Sequence, residues 1–350
     1  MKISRYHIPA GFRQALCGLF TLMMITTGCQ KDNNTVQLPV ADNNSIKYVL
    51  NDNFTFGTFY KALTFVNFQD TLAKTGPYTC LAPENAAFTA LTTGQNLIFD
   101  PQKSASILSM MRYFTLKGRI SFKSLPLAQN KPVLTLTGSN IYVSKYLSGT
   151  DTVTAVNGVK LTVADNNASN GLIQVLPRVL TPGVYHKTMD FIHNDTTLTL
   201  FSIAVQRAKL DVSLLSGSDE YTILAPSNKA FQQSGKLGKN LGVSTLDSIL
   251  TADPDKLGTF LKYYIMQGRY FEGDLYKYVS ASPAGITMLN GKKVKIGGSA
   301  NTYHSITFLG NGNLSAARFI PYNSADSFRI YADIPFDNGV IHVINQMLIP

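Results

Sequence analysis

Apolar residues recur at helical spacing in two stretches, TFGTFYKALTFVNF (55–68) and TTLTLFSIAVQRAKL (196–210). Each predicts a helix with one buried face. Each leads into nearly the same eleven residues: YTCLAPENAAF at 78–88 and YTILAPSNKAF at 221–231, identical at eight positions. Tyr-Thr-x-Leu alternates and favours a strand. Ala-Pro ends that strand, because proline donates nothing to a ladder. Glu84-Asn85 and Ser227-Asn228 then open a helix, and Ser and Asn are good N-caps because they accept from the orphan amides of the first turn. Ala-Phe places an aromatic on the inner face of that helix. The regions 88–112 and 231–264 read as further short helices. Beyond them lie short β-prone runs, so each half runs from helices to strands.

The correspondence extends along the chain. MRYFTLKGRI (111–120) is answered by LKYYIMQGRY (261–270), and NGVKLTV (157–163) by NGKKVKI (290–296). NGLIQVLPRVLTP (170–182) is answered by NGVIHVINQMLIP (338–350), identical at six of thirteen. The order is the same in both halves, while the offset drifts from 143 to 150, 133 and 168. A duplicated domain with length changes explains this. A stacked solenoid needs a shorter period and at least three units. The second half has about forty residues (297–337) where the first has about six, and this insertion is rich in Gly, Asn and aromatics.

The order T-x-L-A-P-x-N-x-A-F, Y-x-x-x-x-G-R, N-G-x-β, then N-G-V-I-H-V-I-x-x-x-L-x-P resembles the fasciclin domain. The resemblance implies an α+β fold, a wedge of β-strands packed with several short helices, at 46–182 and again at 186–350. It also implies function by binding, since family members are mostly extracellular or cell-surface adhesion and binding modules. The family often has Tyr-His in the middle motif, where this chain has Tyr113-Phe114 and Tyr263-Tyr264. The final motif keeps its His in the second copy, His342, and has Gln174 in the first. A binding property assigned to the Tyr-His pair therefore does not transfer.

The start of the chain has a different pattern. Lys2, Arg5 and Arg13 precede the apolar run ALCGLFTLMMI (15–25). Eleven residues are too few to span a bilayer and suit a secretory signal. The run ends in TTGC, which resembles a bacterial lipobox, with Cys29 as the lipid-bearing residue after removal of 1–28. Thr26 stands where Leu is more usual. QKDNN follows and resembles a tag for the outer face of an outer membrane, and 29–45 reads as a polar tether. The expectation is a lipid-anchored protein facing the cell exterior.

The whole chain has net charge +10. Without Lys2, Arg5 and Arg13, 28 basic residues face 21 acidic ones, a net +7. No dense basic stripe appears, so nucleic acid is not an expected partner. GKKVK (291–295) reads as a strand with one wet face. Three cysteines become one, Cys80, once Cys17 and Cys29 are assigned, so no disulfide framework remains. Cys80 stands where the second copy has Ile223 and reads as a small buried hydrophobe.

Chemistry is sparse. There is no G-x-S-x-G elbow, and GNGN (310–313) lacks the strand and helix of a phosphate loop. No pair of carboxylates stands at a spacing that suggests acid–base work. His342 reads as a structural histidine in an alternating strand. His186 and His193, near Asp190 and Asp195, match no familiar metal spacing. No catalytic residue, cofactor or metal is expected. Asp70-Thr71-Leu72, Asp151-Thr152-Val153 and Asp247-Ser248-Ile249 resemble a bacterial O-glycosylation pattern. The candidate binding residues are Tyr303, His304, Tyr322 and Tyr331, in the insertion. The expected partner is a protein or matrix component. Capture of a glycan for a polysaccharide-uptake system is the alternative, although Trp, often used as a sugar platform, is absent.

Overall fold

The structure, a computed structural model, describes residues 43–89, 100–183, 185–215, 217–234, 242–279, 285–299, 304–320 and 331–350. Within them the two repeats build the same core. In the first, helices Ile46–Asp52, Gly57–Phe65, Asn85–Thr89 and Ser104–Tyr113 surround strand β1 (Tyr78–Pro83). The strands β2 (Thr115–Lys117), β3 (Ala128–Leu134), β4 (Asn140–Ser148), β5 (Asp151–Val156), β6 (Val159–Lys160), β7 (Val163–Ala168) and β8 (Gly171–Leu176) follow. They form two sheets, ordered β2-β1-β8-β7 and β3-β4-β5-β6. In the second repeat, helices Thr188–Asn194, Thr199–Arg207, Asn228–Ser234, Leu246–Thr251, Pro254–Leu261 and Glu272–Leu275 accompany β9 (Tyr221–Pro226) and β10 (Ile265–Gln267). Strands β11 (Ile286–Thr287), β12 (Lys293–Gly297), β13 (Thr307–Leu309), β14 (Ala317–Arg318), β15 (Ile334–Phe336) and β16 (Gly339–Ile344) complete it, as sheets β10-β9-β16-β15 and β11-β12-β13-β14.

The two most alike motifs are neighbours in space. β1 runs parallel to β8 from the pair Tyr78–Gly171 to the pair Pro83–Leu176, and β9 pairs with β16 in the same register. These strands do not alternate inside and outside, as their sequences suggested. β8, β9 and β16 are buried at every position, because a central parallel pair is covered on both faces. Cys80 in β1 is fully buried, as its apolar surroundings implied, and burial pushes its thiol well up.

The repeated asparagines act as staples. Asn85 Oδ1 accepts from the Thr58 amide (2.8 Å), while its Nδ2 donates to the Phe54 carbonyl (2.7 Å). Asn228 does the same with the Leu200 amide (2.9 Å) and the Thr196 carbonyl (2.8 Å). Each thus satisfies the first turn of the preceding helix, rather than of the helix it opens. Ser227 is the residue that caps its own helix, accepting from the Ala230 amide at 3.2 Å. A second pair, Asn170 and Asn338, accepts from the amides of Ile46 and Thr188 and ties each domain's first helix to its last central strand. Those first helices, Ile46–Asp52 and Thr188–Asn194, are too short to announce themselves by periodicity.

The second sheets differ. Each contains a hairpin around its Asn-Gly turn, β5–β6 or β11–β12. The first domain adds β4 and β3 beside β5; the second adds β13 and β14 beside β12, at the opposite edge. The drift in offset therefore reflects whole strands as well as loops. Segment 297–337 is correspondingly not an appended loop. Its Ile306, Phe308, Ala317, Phe319, Ala332 and Ile334 are buried in the second core, and short strands of two or three residues gave no period to read. The GKKVK strand follows expectation: in β12, Val294 and Ile296 are buried and Lys293 and Lys295 exposed.

Candidate functional site

The Gly-Arg motifs bind the chain just ahead of each final strand. Arg119 Nη1 donates to the carbonyls of Ala168 (3.0 Å) and Gly171 (2.9 Å). Arg269 Nη1 donates to those of Phe336 and Gly339, each at 2.7 Å, and its Nη2 reaches Glu220 at 3.0 Å. Arg119 is exposed, whereas Arg269 is buried, because the first domain lies on it. The Tyr142 ring stacks on the Arg269 guanidinium at 3.6 Å from its centroid, and the Tyr142 hydroxyl donates to the Phe336 carbonyl at 3.0 Å. Tyr142, Phe271 and Val340 form a small buried apolar cluster across the domains. Asn130 Nδ2 donates to the Arg269 carbonyl at 2.8 Å. Glycines permit the approach: a Cβ on Gly273 would collide with the Gly158 carbonyl, and one on Gly158 with the Phe271 side chain.

Beside this contact lies a cluster of ionisable groups. Glu272 is fully buried on the Glu272–Leu275 turn. Its Oε2 accepts from Arg178 Nη2 of the first domain at 2.7 Å and stands 3.2 Å from His304 Nδ1. Its Oε1 accepts from the Tyr276 hydroxyl at 3.0 Å. The Glu272 amide donates to Asp333 Oδ1 at 2.6 Å, and Asp333 Oδ2 is 3.8 Å from Arg178. The Asp333 amide donates to His342 Nδ1 at 3.2 Å, and His342 Nε2 donates to the Tyr270 carbonyl at 2.9 Å. His342 is therefore the structural residue its position in a strand suggested, in the tautomer with its proton on Nε2.

The electrostatics separate two neighbouring carboxyls. Burial opposes ionisation of Glu272, yet the His304 hydrogen bond and the Arg178 charge outweigh it and hold the carboxyl at about 2. At Asp333 burial wins, with the Glu272 charge adding to it, and the carboxyl is pushed up to about 7. Burial holds the His342 imidazole down at about 4. This is two acids in one site with opposed shifts. The space beside them, lined by Asn157, Arg178, His304 and Asp333, has a volume of about 10 Å³, on the scale of a single water. The arrangement joins the two domains.

This acid pair was not legible in the sequence, since Glu272 and Asp333 are 61 positions apart and Arg178 is 94 from Glu272. One signal was present. Aligned on Gly-Arg, Glu272 falls where the first copy has the buried Phe122, a charge in the place of a core residue. Of the residues singled out for binding, His304 sits in this cluster. Tyr331 is half-buried against the second core, with its carbonyl accepting from the Val343 amide at 2.7 Å. Cys29, Tyr303 and Tyr322 lie outside the described residues. His186 pairs with Asp337 (3.0 Å) and His193 with Gln206 (2.9 Å), so those two histidines do not share a site. Among the described residues no group of three or more His, Cys, Asp or Glu is placed to hold a metal ion, and no helix is long and apolar enough to cross a membrane. Two open grooves of about 520 and 510 Å³ are each lined by three lysines, Lys292, Lys293 and Lys295 in one and Lys123, Lys145 and Lys160 in the other. Lys160 and Lys293 hold equivalent places after their Asn-Gly turns.

Two copies of one α+β core define a tandem-domain protein. The fasciclin domain family matches residues 54–182 and 196–350, and the chain belongs to that family. It is 27% identical over 281 residues to transforming growth factor-beta-induced protein ig-h3 of Sus scrofa, covering 79% of this chain and 35% of that protein. It is 23% identical to periostin of Homo sapiens, over 79% of this chain and 28% of periostin. It is 30% identical over 132 residues to protein sll1483 of Synechocystis sp., covering 37% of this chain and 69% of that protein. The chain thus spans about a third of the length of the first two. A solved FAS1 domain pair from the insect cell adhesion molecule fasciclin I aligns over 85% of this chain and 98% of its own, with 18% identity and a TM-score of 0.39.

Proposed function

We propose that this chain is a lipid-anchored protein of the outer membrane, facing the cell exterior, that acts by binding a protein or matrix partner through its two fasciclin domains. The observation that supports it most is membership of the family over both halves of the chain. The processed chain starts at Cys29, runs through a tether to residue 45 and folds as domains 46–182 and 186–350. Support for the anchor comes from the basic n-region, the eleven-residue apolar run and the TTGC sequence. Diacyl or triacyl attachment suits such a protein, because one chain alone holds a membrane only marginally. A second reading, capture of an acidic glycan, is supported by the two lysine-lined grooves.

The test is a pull-down from cell-surface extract with the soluble chain from residue 30, beside a Tyr303→Ala, Tyr322→Ala variant, with glycan arrays run in parallel. Side-chain variants suit this test, since the segment 297–337 supplies core residues such as Phe308 and Phe319. Capture of a partner that the variant loses supports binding through the insertion. Capture that the variant keeps places binding on the shared scaffold. Array signals alone, weakened by salt, favour the glycan reading. Fatty-acid labelling that persists in Cys29→Ala would overturn the proposed anchor.

A further inference from the structure

The first domain's groove of about 510 Å³ is lined by Lys145 of β4, Thr152 and Thr154 of β5, Lys160 of β6, Thr162 just ahead of β7, and Lys123 beyond the Gly-Arg turn. Lys145 and Thr154 stand opposite each other in the β4–β5 ladder, with Thr152 two positions along, so all three project from one face of the sheet. Asp151, next to Thr152, projects from the other face. Lys145 Nζ donates to the carbonyls of Lys123 and Leu125, the latter at 2.8 Å, and so fixes the backbone that carries Lys123. Among the described residues no carboxylate pairs with any of these three ammoniums. The hydroxyls of Thr152, Thr154 and Thr162 likewise have no hydrogen-bond partner among the described residues. The neighbouring acid, Asp165, is engaged elsewhere: it accepts from the amides of Phe122 and Lys123, from the Ser121 hydroxyl and from Gln174 Nε2.

Ammoniums without counter-ions beside free hydroxyls match the chemistry of an acidic sugar. An ammonium is a compact charge that attracts sulfate or carboxylate. A threonine hydroxyl both donates and accepts, as a sugar hydroxyl does. The volume falls in the range of ligand clefts, roughly 300–1,000 Å³. The second domain's groove is different. Lys292, Lys293 and Lys295 line it with Asn311 and Pro350, and no hydroxyl side chain is among them. Lys295 stands there where the first domain has Thr162. That groove offers charge with little to recognise a sugar ring. We propose that the first domain's groove is a binding site for a sulfated or uronate sugar of an acidic polysaccharide: Lys123 and Lys160 hold the anionic group, Thr152, Thr154 and Thr162 bond the ring hydroxyls, and Lys145 positions Lys123. This assignment rests on the glycan reading above and gives it a site. The ammoniums are open to solvent, so binding weakens as salt rises.

NMR shift mapping and titration of the soluble chain from residue 30 at low salt test this. The probes are a dextran sulfate oligosaccharide, an oligogalacturonate, neutral dextran of similar length and a poly-glutamate peptide. The expected result is that one or both acidic oligosaccharides shift the amides of Thr152, Thr154 and Thr162, while neutral dextran does not. Lys123→Ala combined with Lys160→Ala is expected to weaken that binding at least about tenfold, and Lys292→Ala combined with Lys293→Ala to change it less than about twofold. Thr152→Val combined with Thr154→Val, which keeps every charge, is expected to weaken it at least about threefold. Signals away from the groove report that each variant is folded. Shifts confined to 292–295, with the loss falling on the Lys292, Lys293 variant, would overturn this site and leave the glycan reading standing. Failure of both acidic oligosaccharides to bind the native chain would end the site and the glycan reading together. Unchanged affinity in the threonine variant would overturn recognition of a sugar. Poly-glutamate binding more tightly than either oligosaccharide would assign the groove to an acidic protein segment instead.

Discussion

The two domains share the joints of their central sheet and differ at the faces by which they meet. Thr79 and Thr222 each donate to the carbonyl of their Gly-Arg glycine and accept from the amide two residues on. Asp165 and Asp333 both take a left-handed backbone, and each accepts from the amide of the residue three beyond its Gly-Arg arginine. The seam joins unlike faces, the second sheet of domain one and the Gly-Arg turn of domain two. Among the described residues the equivalent turn in domain one makes no such contact, and its sequence explains why: Lys123 stands where Gly273 stands, Ser121 replaces the anchoring Phe271, and Phe122 replaces Glu272. On the other face Gln346 replaces Arg178. A head-to-tail contact of unlike faces can in principle repeat into a fibre.

The sharpest way to break that comparison is to remove the second domain's counter-charge. Arg178→Ala leaves Glu272 buried without its guanidinium, and breaking a buried pair by deleting one partner costs roughly 3–5 kcal/mol. Urea unfolding is expected to show the loss in the second domain's transition, with the first little changed. An equal loss in both domains would mean that Arg178 serves the first core. Gly273→Lys, which copies the first domain into the second, is next. Its Cβ meets the Gly158 backbone, and overpacking of this kind costs about 1–3 kcal/mol. Free tumbling of the two domains by NMR relaxation is the expected readout, and a seam that survives would show that Gly273 does not set the approach.

The staples test what the copies share. Asn85→Ala and Asn228→Ala each remove the acceptor for a helix's first turn, and such losses cost about 1–2 kcal/mol. Similar falls in midpoint are expected for both, each confined to its own domain. A marked inequality would show that the joint is not equivalent in the two copies. This joint was legible in the sequence as strand, exit and helix start, because its parts lie within eleven residues. Which helix the asparagine caps was not legible, since the partner lies about 27 or 28 positions upstream. The acid pair was hidden for the same reason on a larger scale. The added strands were hidden because two or three residues cannot display a period of two, so core residues such as Phe308 and Phe319 read as parts of an insertion.

The mildest test exchanges His342 for Gln, the residue its counterpart Gln174 already has. His342 is held down at about 4 from its ordinary 6.5, so its contribution to stability is whole above 6.5 and erodes as pH falls toward 4. Asp333 is raised from 3.8 to about 7, so its contribution is whole below 3.8 and is lost as pH rises toward 7. Over the shared window the two slopes oppose and nearly cancel. His342→Gln leaves Asp333 alone, and stability relative to the native chain should then fall with rising pH by up to about 1.4 kcal/mol per unit. Asp333→Asn should show the reverse slope over the same window. The glutamine can still accept from the Asp333 amide and donate to the Tyr270 carbonyl, so the second domain should remain folded. Parallel pH profiles for the native chain and His342→Gln would mean that the imidazole is not kept neutral by its burial, and that the exchange of Gln for His between the two copies is electrically silent.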